Sequence, residues 1–288
     1  MPKDDRKHNI DYLVEEYMNY NISNDKTIKE CEVRFGTKKQ IHISKLNFEN
    51  VISKLQSCGF TSSNENGENL MRITIDHTDK AIENMRLEFN GEHVIQDYCK
   101  NENINISLNK YSDFININKK YYPKKDGLKY KPYNNDDFGF RLAFQLEENI
   151  EKDNIIVQNN LISNFANISK FYRYINRIEY THPDFPFKCH MSIVKNSKRS
   201  AQNIKRSGVL SNSLHYEIEI EFINDDAIIL TKDELMKKLK MLIKYILCGL
   251  QDTRYPITFN EINNVKKDYI ELFGIETSYD DMKPNDFI

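Results

Sequence analysis

Tyr216-Glu217-Ile218-Glu219-Ile220-Glu221-Phe222 is the stretch on which the fold turns. Side chains alternate across a β-strand, so Glu217, Glu219 and Glu221 share one face while Tyr216, Ile218, Ile220 and Phe222 share the other. Taken alone, this is the pattern of a half-buried strand with its acidic face in water. A second strand, Lys29 to Gly36, repeats the arrangement: Glu30, Glu32 and Arg34 point one way, Cys31, Val33 and Phe35 the other. Two such strands suggest an inside-out barrel with a polar lumen and an apolar outside covered by helices. Carboxylates crowded together repel unless a cation sits among them, and hard oxygen donors suit Mg²⁺ or Mn²⁺.

Strand-like runs at Leu70 to His77, Asn84 to Asn90, Ile115 to Tyr121, Phe138 to Glu147, Phe171 to Thr181 and Phe187 to Lys195 supply the opposite charge on alternating positions. Arg86 with Glu88, Arg141 with Gln145 and Glu147, Arg173 with Arg177, and Lys188 with His190 and Ser192 each share a face. Singly, each basic residue reads as a solvated surface charge. Gathered around one lumen they would form a phosphate clamp, because guanidinium groups bind phosphate oxygens in bidentate fashion.

Helices frame these strands. Ile10, Leu13, Val14, Tyr17 and Met18 recur at helical spacing. Ser44 precedes an apolar-periodic run that ends before Gly59, a capped helix. Further helices are expected near Glu92 to Lys100 and Leu161 to Ile168. Thr231 with Glu234 makes a capping box for a long helix through Leu235, Leu239, Leu242, Ile243 and Ile246, and a last helix spans about Asn260 to Phe273, before Gly274. Residues 275–288 lack periodicity and read as a tail or linker. The expected organisation is an N-terminal helix within 1–25, one catalytic domain over 26–274, and that tail.

The bulk composition excludes several alternatives. With 41 basic and 43 acidic residues the formal net charge is −2, so contact with a nucleic acid must be local. Five scattered cysteines lack metal or disulfide spacing and read as free thiols in a reducing compartment. No apolar leader or membrane-length window occurs, which points to a cytoplasmic protein without membrane partners. There is no P-loop pattern and no HExxH, so the commonest nucleotide and zinc hydrolases are unsupported. Lys124-Lys125-Asp126-Gly127 fits the KxDG pattern of nucleotidyltransferases but falls in a turn-like stretch between proposed strands, so it reads as coincidence. His215 reads as structural, pointing outward with Ser213.

Glu30-Cys31-Glu32-Val33-Arg34-Phe35-Gly36 together with Tyr216 to Phe222 resembles the paired glutamate motifs of fungal, protozoal and large-DNA-virus RNA triphosphatases, the triphosphate tunnel metalloenzymes of mRNA capping. Arg86-Leu87-Glu88, Asp137-Phe138-Gly139-Phe140-Arg141, Phe171 to Arg177 and Phe187 to Lys195 resemble the intervening segments of the giant-virus capping-enzyme triphosphatase domain. The likeness covers about Ile28 to Phe222. It implies an α+β fold, an eight-stranded antiparallel β-barrel flanked by helices, and a viral protein of the host cytoplasm or virion. It also implies that Glu30, Glu32, Glu219 and Glu221 hold a Mg²⁺ or Mn²⁺ ion, with Glu217 in reserve, and that Arg86, Arg141, Arg173, Arg177 and Lys188 grip the phosphates. Either Glu147 or Glu219 would orient the water that attacks the γ-phosphate of a 5′-triphosphate RNA end. Guanylyltransferase and methyltransferase modules, in cis or in trans, are the implied partners.

Two positions depart from the family pattern. Ile175 stands where a basic residue is usual between the two arginines, and no acidic residue stands in the strand beside His190. Two other readings stay open: a tunnel hydrolase for tripolyphosphate, nucleoside or thiamine triphosphate, and a non-catalytic module that binds RNA ends or scaffolds a capping complex.

Overall fold

The computed structural model describes residues 9–22, 25–36, 42–125 and 127–273. Eight strands build its centre: β1 (Thr27–Phe35), β2 (Glu68–Asp76), β3 (Met85–Asn90), β4 (Ile115–Tyr121), β5 (Phe140–Asn149), β6 (Ser169–His182), β7 (Phe185–Asn196) and β8 (His215–Phe222). Every neighbouring pair is antiparallel, in the order β1-β8-β7-β6-β2-β3-β4-β5. The sheet then closes on itself, β5 pairing with β1 from Thr27 opposite Glu148 to Phe35 opposite Phe140. Closure leaves no free edge along the barrel, and alternation then sends every second side chain inward.

Helices cover the outside: α1 (Ile10–Asn19), α2 (Lys45–Ser57), α3 (Glu92–Asn101), α4 (Ile104–Lys110), α5 (Ile204–Ser207), α6 (Asn224–Ile229), α7 (Lys232–Gln251) and α8 (Phe259–Phe273). The two expected caps form. Ser44 accepts from the backbone N–H of Asn47, and Thr231 from that of Glu234, whose carboxylate accepts in return from the Thr231 N–H at 3.0 Å. The helix expected over Leu161 to Ile168 instead forms earlier, as a π-helical turn at Val157–Ile162. The backbone N–H groups of Asn167 and Ile168 then fold back onto the Asn164 carbonyl. The lysine pair of the KxDG pattern lies in a small ribbon, Lys124–Lys125 against Leu128–Lys129; Asp126, Gly274 and the 275–288 tail lie outside the described residues.

The apolar cores lie between barrel and helices. In one, Leu13, Val14 and Tyr17 of α1, Val51 of α2 and Leu235, Leu239 and Leu242 of α7 pack over Val33, Leu142, Phe187 and Ile220. In the other, Val94 and Tyr98 of α3 and Leu108 of α4 pack over Ile73, Leu87, Phe89 and Ile117. Each such side chain contributes about 1.5–3 kcal/mol on burial. The close approach of α7 to α2 depends on Gly249, where an added Cβ would lie 2.8 Å from the Val51 Cα. Among the described residues no helix is long and apolar enough to cross a membrane.

Lys170, at the start of β6, is buried on the outer side of the barrel. It is 1% exposed and donates to the carbonyls of Phe165 and Ile168, with its ammonium 4.3 Å from the Phe165 ring centre. Burial lowers its pKa from 10.5 to about 8, against a smaller opposing pull from Glu102. Above that value the folded chain releases a proton that the unfolded chain retains, so stability rises with pH from about 8 toward 10.5. The two carbonyl acceptors favour the ammonium, so the gain should be about 1–3 kcal/mol. Urea melts across this window should show it as a rise in wild-type stability relative to Lys170→Met; parallel curves would show that Lys170 does not titrate there.

Candidate active site

Each of the eight strands contributes at least one ionised side chain to the interior. Because β8 follows β1 around the barrel, the two glutamate motifs become neighbours, with Glu32 opposite Glu221 and Arg34 opposite Glu219. Glu30, Glu32, Glu219 and Glu221 line a single chamber of about 190 Å³, together with Glu147 and Arg177. The first three are buried at 6–8% exposure.

Cations separate these carboxylates. The Arg34 Nε lies 2.9 Å from Glu32 Oε1 and 3.1 Å from Glu219 Oε1. Lys120 contacts Glu30 and lies 2.9 Å from Glu147 Oε2, while Asn118 donates to Glu147 Oε1 at 3.0 Å. Burial alone would raise the pKa of Glu219, but Arg34, Arg177 and Arg173 outweigh it and hold that carboxyl at about 2. Glu32 goes the other way, raised by burial and by the repulsion of Glu219 and Glu30 beyond what Arg34 offsets. Burial also raises Glu221, with Glu30 adding to it.

Strand alternation puts all five basic residues expected to grip phosphate on the inward parity, with Arg177 alone of the five lining the glutamate chamber, and they fall into two states of pairing. Arg173 contacts Glu217; Arg177 lies 3.7 Å from Glu219 and donates to Ser192 Oγ at 3.3 Å; Lys188 lies 3.3 Å from Glu179. Arg86 and Arg141, by contrast, have no carboxylate partner among the described residues. Arg141 donates one bond to the Tyr122 hydroxyl, and its Nε is buried without an acceptor. Burial and the nearby Arg72 lower the pKa of Arg86 by more than Glu88 and Glu30 raise it.

The two departures from the family pattern have structural accounts. Ile175 faces the interior between Arg173 and Arg177, fully buried, opposite Val194 on β7 and Leu70 on β2. Arg72, paired in register with Arg173, brings a basic side chain to the same wall. The acidic group beside His190 comes from another strand: Glu179 on β6 lies 3.2 Å from its Nε2, and Glu221 3.4 Å from its Nδ1.

His215 corrects one expectation. It shares its parity with Glu217, so regular alternation places it on the glutamate face, where it lines an outer cavity of about 340 Å³ with His42 and Asn196. Arg72 and Lys120 were missed from sequence. The signal existed, since Met71, Ile73 and Ile75, and likewise Ile115 and Ile117, form the apolar faces that leave Arg72, Asn118 and Lys120 pointing inward. The Lys119-Lys120 doublet obscured that parity.

Among solved structures, the RNA triphosphatase domain of the trifunctional mimivirus mRNA capping enzyme superposes with a TM-score of 0.52 at 20% identity, covering 82% of this chain and 95% of that one. A triclinic form of the mimivirus capping enzyme triphosphatase gives 0.54 at 18% identity with the same coverage. The chain has the triphosphate-tunnel fold. A monoclinic form of the mimivirus protein gives 0.53 at 19% identity over 82% of this chain and 96% of its own. Neither a protein-family model nor a curated protein matches the sequence.

Does this tunnel suit a divalent cation? Among the described residues, no three His, Cys, Asp or Glu side chains converge as they stand on one point; Arg34 and Lys120 lie between the carboxylates instead. The donors nevertheless fit. They are all carboxylate oxygens, Glu30 Oε2 is buried with no hydrogen-bond partner, and Glu32 and Glu221 are held above their ordinary pKa by burial and like charge. A hard cation relieves all three conditions at once.

Proposed function

We propose that this protein is a divalent-cation-dependent RNA 5′-triphosphatase that removes the γ-phosphate from 5′-triphosphate RNA ends during mRNA cap formation. The observation that carries the reading is a closed barrel whose interior sets four clustered glutamates against two guanidinium groups, those of Arg86 and Arg141, that have no carboxylate in ion-pair contact among the described residues. Such cations await an anion, and a triphosphate is an anion of the right charge density for a lumen this polar.

Glu30, Glu32, Glu219 and Glu221 would hold Mg²⁺ or Mn²⁺, which supplies Lewis-acid polarisation of the γ-phosphate and neutralises charge on its oxygens. Arg86 and Arg141 bind phosphate oxygens, and Arg173, Arg177 and Lys188 join them by exchanging their carboxylate partners for phosphate. Glu219 is engaged by Arg34 and Arg177 and belongs to the carboxylates that would hold the cation. Orienting the attacking water therefore falls to Glu147, which Asn118 and Lys120 hold in place. The water oxygen attacks phosphorus in line and passes a proton to the Glu147 carboxylate, the bond to the β-phosphate oxygen breaks with the electron pair leaving on that oxygen, and the Arg177 guanidinium stabilises the charge that develops. Guanylyltransferase and methyltransferase activities in cis or in trans would take up the diphosphate-ended product.

Phosphate release from triphosphate-ended RNA, nucleoside triphosphate and tripolyphosphate tests this reading. The expected result is release from RNA that requires added Mg²⁺ or Mn²⁺, stops with EDTA and returns on excess metal. Tripolyphosphate preferred by orders of magnitude would replace RNA with a small substrate. Retention of RNA with metal and no release of phosphate would make the chain a binding module.

A further inference from the structure

The chamber between the glutamates and the outer cavity that holds His42 and His215 share two lining residues, Arg34 and Glu219. Arg34 thus borders both. Its guanidinium lies between Glu32 and Glu219, but the fit is imperfect. One aligned bond runs from Nη2 to Glu32 Oε2 at 3.1 Å, while the buried Nε–H, near both carboxylates, aligns with neither. Across the β1–β5 pairing, the residue in register with it is Arg141.

We infer that Arg34 is a built-in counter-cation, held between Glu32 and Glu219 only until a divalent cation displaces it, so that the metal affinity of the tunnel is set by competition with this side chain. This rests on the metal-dependent reading above. Two carboxylates this deeply buried need a positive charge nearby at all times, or they repel and the barrel wall loosens. A guanidinium on a flexible stem supplies that charge without closing the site. A divalent cation brings twice the charge of a guanidinium to the same carboxylates, and the outer cavity that Arg34 also lines gives the side chain room to move. The side chain is 37% exposed, against 7–8% for the two carboxylates, so the space it would enter is already open to water.

Competition predicts opposite effects on metal binding and on metal-free stability. Mn²⁺ binding should be measured by calorimetry without substrate for wild type, Arg34→Met, Arg34→Lys and Arg141→Met, with thermal melts with and without Mn²⁺. Arg141→Met removes the same charge from the paired strand and touches no carboxylate, so it reports the general electrostatic effect. Arg34→Met should bind Mn²⁺ at least about tenfold more tightly than wild type, the equivalent of one charge-assisted contact, and more tightly than Arg141→Met. It should also melt at a lower temperature without metal and recover with it, Arg34→Lys falling between. If Arg34→Met folds only when Mn²⁺ is present, that rescue supports the same conclusion. Unchanged or weaker Mn²⁺ affinity in folded Arg34→Met, or a gain no larger than that of Arg141→Met, overturns the inference and leaves the metal-dependent reading standing. Failure of Mn²⁺ to bind any of the four proteins overturns both.

Discussion

Glu219→Gln is expected to lower γ-phosphate release by roughly 10³-fold, about 4 kcal/mol of transition-state stabilisation, with the barrel still formed. Glutamine keeps the shape of the side chain and removes its charge, so the loss reports the carboxylate. Two functions would disappear together: the proposed donor to a divalent cation, and the counter-ion that restrains Arg34 and Arg177. Single-turnover rates at saturating metal would separate them, because restoring occupancy with excess Mn²⁺ recovers only the first. A fall of less than tenfold would remove Glu219 from the reaction. The same variant has an acid signature. Glu219 titrates at about 2 in the fold against an ordinary 4.5, so its contribution to stability is complete above pH 4.5 and is lost as pH falls through about 2. Between those values the wild-type chain should therefore hold an advantage over Glu219→Gln that shrinks as acid is added; a constant difference down to pH 2 would contradict the pairing with Arg34, Arg177 and Arg173.

Arg86→Met separates activity from stability by sign. Arg86 has no carboxylate partner among the described residues, and burial together with Arg72 disfavours its charge. Replacing it with an apolar side chain of similar length removes a half-buried cation whose burial and repulsion by Arg72 exceed the attraction of Glu88 and Glu30, so the metal-free, substrate-free protein should become no less stable and gain up to about 1 kcal/mol in urea unfolding. The kcat/KM for triphosphate-ended RNA should nevertheless fall about 10²-fold, because the phosphate loses a charge-assisted contact in a low-dielectric site. Arg86→Lys should recover part of the activity, since an ammonium keeps the charge without the bidentate fork. Loss of stability with unchanged kcat/KM would mark Arg86 as a structural residue.

Much of this site is legible by counting residues along a strand. The parity of Glu217, Glu219 and Glu221 against Ile218 and Ile220 fixes which face is polar, and Glu30 and Glu32 against Cys31 and Val33 do the same at the other end of the chain. Applied consistently, that rule also finds Arg72 and Lys120 and places His215 with the glutamates. What counting leaves open is adjacency. Nothing in the spacing of Glu179 and His190 shows that β6 and β7 set them side by side, or that a residue on another strand supplies the acidic group His190 lacks locally. Ile175 reads from sequence as a missing charge. In the fold it is one member of an apolar patch with Val194 and Leu70, and Arg72 approaches from the neighbouring strand.

By itself, then, the amino-acid order determined which side chains point inward, because a strand alternates with period two whatever surrounds it. It also determined where the covering helices begin, through the caps at Ser44 and Thr231. Only the tertiary structure decided which inward residues touch. Closure of β5 onto β1, and of β1 onto β8, brings Arg34 between Glu32 and Glu219 and Lys120 between Glu30 and Glu147. The physical reason is range: alternation is a local property of the backbone, whereas the partner of a buried charge is set by strand order and register, which the whole barrel fixes at once.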